Sequence, residues 1–354
     1  MSGEHERVPE FPGLSRRDFL KFCGYTAALL GLAESGIADV AQALAAAVKK
    51  PPVVWLEAQD CAGCSVSFIS STHPGIAEII LDTVSVRYHE TIMAGAGAIA
   101  EKALEDTIAE KGYVLVVEGS IPTADGRYCT VAGKEIGDTV KKAAENAAAI
   151  IAVGACAAFG GIPAAGPTGA KGVAEFLGRD DVINISTCPA HVEHVVGTIV
   201  YYLLYNKAPE LDSHGRPKMF FSTLIHDNCP RRGHFDRGEF MTDRNDPAQK
   251  DWCLYLLGCK GPFTFSDCPI RKWNDGTNWC IECGAGCQGC AQPEFYAGMS
   301  PLYAKTKDVA GINVDTIGKA LGAVTAAGLA VHFIGQAASG RLGKGGPREG
   351  GDSA

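Results

Sequence analysis

The sequence predicts an α/β protein in which a doubly wound parallel sheet precedes a loop-rich, cysteine-rich segment. Three observations support this prediction. Short apolar runs alternate with helical segments between residues 51 and 205, which is typical of a parallel sheet. Cysteines directly follow several of the predicted strands. Residues 253–290 hold seven more cysteines among many glycines, at spacings that fit neither a helix nor a strand, so we expect these on loops.

The composition is that of a globular chain with one anomaly. Of the 354 residues, 46% are hydrophobic and 20% are charged, so the chain can bury the cores of two domains. The net charge of -8 argues against nucleic acid as a partner. The anomaly is the cysteine count of 14, which suggests metal binding in a cytosolic protein and disulfides in an exported one.

Residues 1–47 are interpreted as a twin-arginine export signal. Arg16 and Arg17 precede an apolar run over residues 22–32, and small residues around positions 41–47 offer a cleavage site. The alternative is an amphipathic N-terminal helix with two chance arginines. Twin-arginine export carries folded proteins, so metal can be inserted beforehand, and cysteines already bound to it are not free to pair as disulfides.

Residues 51–205 are predicted to form the sheet. Strands are expected at 52–57, 113–117, 149–153 and 182–185, with helices from residue 65 and over 134–146. Cys61, Cys64, Cys156 and Cys188 follow three of these strands. Because ligands bind outside the carboxyl ends of parallel strands, four sulfurs can converge there. A helix start is expected to lower the pKa of the first two thiols, and a redox dithiol is the alternative for that pair.

Residues 206–303 are predicted to bind further metal. His226 and Cys229 are followed by Cys253 and Cys259, a set that by count alone suits zinc. Thiolates suit iron–sulfur clusters equally well. For the run 253–290 the alternatives to iron–sulfur ligation are buried core cysteines, disulfides and structural zinc.

Six motifs in this chain resemble the small subunit of nickel–iron, or nickel–iron–selenium, uptake hydrogenases. They are CAGCS at 61–65, VEGSIPTADGRYC at 117–129, AVGACAAFGG at 152–161, CP at 188–189, HDNCPRRGHFDRGEF at 226–240 and the run 253–290. The resemblance implies a flavodoxin-like first domain with a proximal 4Fe-4S cluster, and a loop-rich second domain with medial and distal clusters. It also implies a large subunit with the nickel–iron site and a cytochrome b or c acceptor.

The resemblance carries three ligand sets to this chain. These are Cys61, Cys64, Cys156 and Cys188 for the proximal 4Fe-4S cluster; His226, Cys229, Cys253 and Cys259 for the distal 4Fe-4S cluster; and Cys268, Cys280, Cys287 and Cys290 for the medial cluster. Family members with cysteine at the position of Cys280 hold a medial 4Fe-4S cluster rather than 3Fe-4S, and Cys283 is the alternative fourth ligand. Gly63 and Gly161 stand where oxygen-tolerant members have cysteines, so an ordinary proximal cluster is expected.

Other residues have less specific roles. Glu57 and Glu118 are candidates for a proton path at the subunit boundary, or for purely structural hydrogen bonding. Cys129 is left over as a structural thiol, and Cys23 lies in the signal. Three other functions are considered: a stand-alone iron–sulfur electron carrier; a related quinone oxidoreductase subunit, which should lack the second cysteine group that this chain has; and a zinc-stabilised exported protein.

The tail, residues 304–354, contains an apolar segment at 317–336 that is long enough to span a membrane. Arg341, Lys344 and Arg348 follow it and would stay on the cytoplasmic side. We therefore expect a periplasmic protein attached to the inner membrane by this helix. The alternative is a soluble helix packed on the body or on a partner.

Overall fold

The structure is a computed structural model that describes residues 16–33, 36–38, 40–41, 51–72, 75–76, 84–295 and 314–339. Residues 1–305 form one compact unit and residues 306–354 form another. The first unit contains the predicted parallel sheet. The predicted fold class is therefore confirmed.

Five parallel strands form the main sheet. Their bounds are Pro52–Glu57 (β1), Ser85–His89 (β2), Val114–Glu118 (β3), Ala149–Val153 (β6) and Ile183–Ile185 (β7). They lie side by side in the order β2-β1-β3-β6-β7. Four of these match predicted strands to within one residue. The strand β2 was not predicted; it lies at the sheet edge, with Tyr88 and His89 buried.

Among the described residues, the helices of the first unit are between 4 and 14 residues long. They are Arg16–Leu29 (α1), Gly63–Ile69 (α2), Ala98–Glu110 (α3), Ile136–Ala144 (α4), Gly154–Phe159 (α5), Val173–Leu177 (α6), Val192–Tyr205 (α7), Lys218–Phe221 (α8), Arg232–Asp236 (α9) and Cys268–Arg271 (α10). The second unit contains Val314–Ala338 (α11), which encloses the predicted apolar helix.

The predicted helix over 134–146 is wrong at its start. Residues Thr130–Val131 (β4) and Lys134–Glu135 (β5) pair as a small antiparallel hairpin, and the helix begins only at Ile136. Ala132 and Gly133 both have positive φ, at 50° and 76°. Two such residues form the tight turn that hairpins favour, and this turn outweighs the helical pattern of the following residues.

Each face of the sheet has its own core. Val54, Leu56, Leu115 and Val117 lie on one face against α3 and α4, and Val53, Trp55, Val114 and Val116 lie on the other against α7. Side chains alternate between faces along a strand, so runs such as Val114–Glu118, buried at every position, serve both cores. Helices on both faces make the sheet doubly wound.

Residues 206–295 are mostly loops and single turns. Their apolar core contains Ile225, Met241, Leu254, Trp279 and Ile281, together with three buried cysteines: Cys259, Cys268 and Cys287. Cysteines thus take positions that aliphatic side chains hold in an ordinary core.

Candidate metal centres

The carboxyl ends of four sheet strands lie in one row. In the parallel register Glu57 pairs with Glu118, Glu118 with Val153, and Val153 with Ile185. The loops after these strands therefore leave the sheet at the same edge. Three of the loops bring in the four cysteines that were predicted to converge there: Cys61, Cys64, Cys156 and Cys188.

The thiols at this edge influence each other electrostatically. Burial, with smaller contributions from Cys188 and Cys61, raises the pKa of Cys156 to about 12. Burial also raises the pKa of Cys64, and the charges of Glu118, Cys188 and Cys156 add to this. The expected lowering of the Cys64 pKa by the helix start is therefore wrong, because burial outweighs the dipole of the short helix α2.

Glycines stand next to Cys64 and Cys156, where a larger residue would clash with them. A Cβ at Gly154 would lie 2.5 Å from Cys64 Sγ, and one at Gly161 would lie 2.8 Å from the Cys156 backbone. The φ of Gly161 is +52°, which a side chain would strain further. A cysteine at position 161 would thus require the loop to shift. The Ala190 N–H donates to Cys64 Sγ across 3.3 Å, as amides around cluster thiolates do.

A second group of candidate ligands lines one small cavity. His226, Cys229, Cys253 and Cys259 all face it, with Leu254, Pro262 and Ile281 as apolar walls. Burial, aided by the charge of Arg232, lowers the pKa of His226 and keeps its imidazole in the neutral form that binds metal. Its ring packs edge-on against Phe235, with 4.4 Å between centroids.

The third group combines buried thiols with one exposed thiol. Cys268 and Cys287 are buried, and Cys290 is partly buried. Ser266 Oγ lies 3.1 Å from Cys268 Sγ, and the Gly289 N–H donates to Cys287 Sγ across 3.4 Å. These donors suit a sulfur that carries negative charge.

Cys280 and Cys283 differ in their surroundings, although both are exposed. Burial raises the pKa of Cys268 to about 11, and the neighbouring Asp267 and Cys280 charges contribute to the rise. Cys280 therefore lies within electrostatic reach of the third group. The Cys283 N–H closes a turn onto the Trp279 carbonyl at 3.1 Å.

The donor sets fit iron–sulfur clusters better than single ions. Among the described residues, no three His, Cys, Asp or Glu side chains meet closely enough to hold one ion in common. An iron–sulfur cluster spreads its ligands over several iron atoms, so its thiolates need not meet at a point. Backbone N–H donors to Cys64, Cys259 and Cys287 add the hydrogen bonds that such clusters receive.

Glu57 and Glu118 meet at a single hydroxyl group. Ser65 Oγ lies 2.5 Å from Glu118 Oε2 and 3.1 Å from Glu57 Oε1. Glu118 also accepts hydrogen bonds from Trp55 Nε1 at 3.1 Å and from the Cys64 N–H at 2.9 Å. The two carboxylates predicted from the sequence therefore form one chain that reaches the first thiol group.

Two further carboxylates belong to this edge and were missed. Burial, with the charges of Glu118 and Glu57, raises the pKa of Asp60 to about 7. Burial, opposed by the Glu57 N–H and reinforced by the charges of Glu57 and Asp60, raises the pKa of Glu90 to about 7. Asp60 follows the predicted strand β1, and its position near a strand end was the signal that would have found it. Glu90 follows β2, a strand that the sequence did not predict.

Family models match most of the first unit. Residues 221–303 match the model for the C-terminal part of the NiFe/NiFeSe hydrogenase small subunit. Residues 61–202 match the NADH ubiquinone oxidoreductase, 20 Kd subunit family. The two matched ranges contain all three groups of candidate ligands.

Full-length relatives and solved structures are similar to this chain. The periplasmic [NiFe] hydrogenase small subunit 1 of Nitratidesulfovibrio vulgaris is 47% identical over 308 residues, covering 85% of this chain and 96% of that protein. The hydrogenase-2 small chain of Escherichia coli is 42% identical, covering 85% and 83%. The structure of the reduced, active Ni-Fe-Se hydrogenase from Desulfomicrobium baculatum gives a TM-score of 0.68 at 41% identity, covering 73% of this chain and 100% of that one.

Proposed function

Because this chain belongs to the small subunits of nickel–iron hydrogenases, we propose that it carries electrons between a hydrogen-splitting large subunit and a cytochrome acceptor. The enzyme is an oxidoreductase that acts on hydrogen, and its nickel site belongs to the large subunit. The observation that carries the proposal is that one compact unit contains three groups of candidate Cys and His ligands.

Each ligand group has a role in this proposal. Cys61, Cys64, Cys156 and Cys188 hold a proximal 4Fe-4S cluster; His226, Cys229, Cys253 and Cys259 hold a distal 4Fe-4S cluster; and Cys268, Cys280, Cys287 and Cys290 hold a medial 4Fe-4S cluster. When bound, each cluster accepts and releases single electrons. The N–H groups that point at Cys64, Cys259 and Cys287 stabilise added negative charge there, which raises the reduction potential.

Cys280 is proposed as the fourth medial ligand in preference to Cys283. Its thiol charge contributes to the raised pKa of Cys268, whose dominant cause is burial. The backbone of Cys283 is held in a turn by Trp279. The distal group, in which His226 and Cys229 are partly buried, is proposed as the exit because the resemblance to the family gives it that place.

An apolar surface supports a docked large subunit. Three large aliphatic side chains close to the first thiol group are exposed: Val66 by 53%, Ile69 by 40% and Ile162 by 50%. Val66 and Ile69 lie on α2, which starts at the CAGC motif, and Ile162 follows Gly161. A stand-alone electron carrier has no need of apolar side chains around its buried cluster, whereas a subunit interface does.

The Glu57–Ser65–Glu118 chain is proposed as part of a proton path at the subunit boundary. The Ser65 hydroxyl is within hydrogen-bond distance of both carboxylates, so it can receive a proton from one and pass its own to the other. Thr91 Oγ1, 2.5 Å from Glu57 Oε1, extends the chain toward the surface.

The two ends of the chain support export and membrane attachment. Arg16 and Arg17 stand at the first two positions of α1, and an apolar run follows them over residues 22–32, which is the order of residues in a twin-arginine signal. Within the described residues, one helical stretch, Ala320–Ala338, is long and apolar enough to span a membrane. Its 19 residues extend about 28 Å, close to the hydrocarbon thickness. We propose a periplasmic subunit held at the inner membrane beside its cytochrome.

The test is to purify the chain anaerobically with its large subunit and measure iron, sulfide, EPR spectra and hydrogen-dependent dye reduction. We expect iron for three clusters and dye reduction that is lost when Cys259 is replaced by Ser. Cys129→Ser is the control, because Cys129 lies outside all three ligand groups. A colourless, iron-free complex would overturn the proposal.

A further inference from the structure

Cys280 and Cys283 lie on one turn of the backbone, residues 279–285. The Cys283 N–H donates to the Trp279 carbonyl oxygen across 3.1 Å, and the Ala285 N–H donates to the Cys280 carbonyl oxygen across 2.9 Å. The first of these bonds joins residues four apart, as in an α-helix, where side chains three positions apart are neighbours with about 5–6 Å between Cβ atoms. The two free thiols therefore lie side by side on this turn.

The turn is anchored on both sides of Cys280. Trp279 and Ile281 are only 3% and 2% exposed, and Lys272 Nζ lies 2.9 Å from Glu282 Oε1. A disulfide requires about 3.5–4.5 Å between Cβ atoms, so the two cysteines have to approach each other by about 1–2 Å. Cys-x-x-Cys pairs make such an approach when they form disulfides. The anchored backbone keeps the two thiols within that short movement of each other.

The Cys280 thiol lies between Cys283 and the third ligand group. The residue is exposed, yet its sulfur lies deep enough for burial to raise its pKa, and the charge of Cys283 adds to the rise. The charge of Cys280 in turn contributes to the raised pKa of Cys268, whose largest cause is burial. Cys268 and Cys287 are buried and Cys290 is partly buried. Of the four proposed medial ligands, Cys280 is therefore the one that an oxidant in solvent reaches first.

We propose that a peroxide oxidises Cys280 and Cys283 to a disulfide, which withdraws Cys280 from the medial cluster and leaves a 3Fe-4S centre. The inference rests on the proposed function, because it takes Cys280 as the fourth medial ligand. It adds a modification site to that function and gives Cys283 a role as the thiol that resolves the oxidation. The composition of the medial cluster then responds to oxidants.

The oxidation begins at Cys283, the thiol of the pair that binds no iron in this proposal. Its sulfur takes one oxygen atom from hydrogen peroxide, which leaves a sulfenic acid and one molecule of water. The Cys280 sulfur then attacks the Cys283 sulfur. The S–S bond forms, the S–OH bond and the bond from Cys280 to iron break, and hydroxide leaves. These steps remove two electrons from the two sulfurs.

Loss of the Cys280 sulfur also changes the iron content. A 4Fe-4S cluster in the 2+ state becomes a 3Fe-4S centre in the 1+ state when one Fe²⁺ and one electron leave. A further molecule of hydrogen peroxide accepts this electron from each of two clusters and, with two protons from solvent, becomes two molecules of water. The oxidant thus accounts for every electron that the sulfurs and the iron lose.

The neighbouring thiol makes the oxidation reversible. A sulfenic acid that meets a thiol condenses to a disulfide, which a dithiol can reduce, whereas one without such a partner is oxidised further to sulfinic acid. Because Cys283 stands three residues from Cys280 on the same turn, the disulfide forms before further oxidation. Dithiothreitol supplies the electrons and added Fe²⁺ supplies the lost iron, so together they should restore the four-iron cluster.

The experiment treats the anaerobic two-subunit complex with hydrogen peroxide and follows two quantities. EPR measures the oxidised 3Fe-4S signal. Alkylation before and after thiol reduction, read by mass spectrometry, locates any disulfide. We expect the signal and a disulfide between Cys280 and Cys283 to rise together, and dithiothreitol with Fe²⁺ to reverse both. The disulfide mapping needs no substitution, so it tests the inference even where a variant fails to load iron.

Cys283→Ser separates the role of this thiol from that of the cluster. The variant should load iron normally but form no disulfide, and its 3Fe-4S signal should rise several-fold more slowly and recover incompletely. Cys129→Ser is the control and should behave as the unsubstituted complex, because Cys129 lies outside all three ligand groups. A 3Fe-4S signal without the disulfide, or equal rates with and without Cys283, would overturn the inference. An iron-free complex before peroxide would instead overturn the proposed function.

Discussion

His194 Nε2 lies 2.8 Å from Asp267 Oδ1, which joins helix α7 of the sheet segment to the residue before Cys268. Asp267 Oδ2 accepts from Arg271 Nε at 2.8 Å, and Arg271 also pairs with Glu193 on α7. Burial opposes ionisation of Asp267, but the charges and hydrogen bonds of His194 and Arg271 lower its pKa to about 2. The loop that begins the third ligand group is therefore fixed to the sheet by a buried ionic network.

His194→Phe should weaken this attachment. The ring would keep its stacking on Phe220, at 4.4 Å between centroids, but Asp267 would lose a buried partner. We expect a loss of about 1–3 kcal/mol in unfolding free energy, measured as a lower Tm of the anaerobic complex. His214→Phe, at an exposed position, should change stability by less than about 0.5 kcal/mol. Equal Tm values for the two variants would argue that this network does not stabilise the attachment of the Cys268 loop to the sheet.

Stability should fall in mild acid because of His89. This residue is fully buried and stacked on Trp55, and burial lowers its pKa to about 4 although Glu57 opposes the shift. Below pH 6.5 the histidine of the unfolded chain binds a proton, whereas His89 in the folded chain stays neutral. The free energy of unfolding therefore falls between pH 6.5 and 4. The decrease amounts to about 3 kcal/mol from the size of the shift.

His89→Gln removes this titration while keeping a polar side chain beside Ser65 and Glu57. Its Tm should therefore depend less on pH between 6.5 and 4 than that of the unsubstituted protein. His214→Gln serves as the control and should retain the full dependence. If both variants follow the same curve, another group causes the acid sensitivity.

Cys280→Ser and Cys283→Ser separate the two candidates for the fourth medial ligand. Loss of Cys280 should convert the medial cluster to a 3Fe-4S centre, which is paramagnetic when oxidised and visible by EPR. Loss of Cys283 should leave the spectrum unchanged, because Cys280 is the proposed fourth ligand. The opposite pair of spectra would assign Cys283 as the ligand.

Ser65→Ala tests the proton path while leaving both carboxylates in place. It removes the hydroxyl that bridges Glu57 and Glu118, so we expect hydrogen oxidation to slow by about tenfold or more, with cluster potentials intact. Ser67→Ala is the matched control on the same helix, since the Ser67 hydroxyl donates to the Ala190 carbonyl oxygen at 2.7 Å and bonds neither carboxylate among the described residues. If Ser65→Ala oxidises hydrogen at the full rate, Glu57 and Glu118 have a structural role only.

Removal of residues 306–354 should release the complex from membranes. These residues form a unit of their own, and residues 320–334 of α11 are exposed. The truncated complex should therefore keep its iron content and dye reduction but appear in the soluble fraction. Carbonate extraction checks the same point, and a full-length complex that carbonate releases would contradict a spanning helix.

Much of this structure can be predicted from local sequence. Apolar runs of five or six residues predict β1, β3 and β6, because a strand that is buried on both faces carries mostly apolar side chains. The types and order of the candidate ligands are also local features. Turns are harder to predict from sequence. The hairpin with its turn at Ala132 and Gly133 includes two residues that were predicted to be helical.

The tertiary structure alone decided which of these residues meet. Ser65 bridges Glu57 and Glu118 only because β1 and β3 pair in a register that sets the two carboxylates side by side. Likewise Cys287 meets Cys259, and His194 meets Asp267, across 28 and 73 positions of sequence. The sequence by itself determined the donor atoms, because they are chemical groups. Their distances and pKa values came from packing, because burial and neighbouring charges are properties of the whole fold.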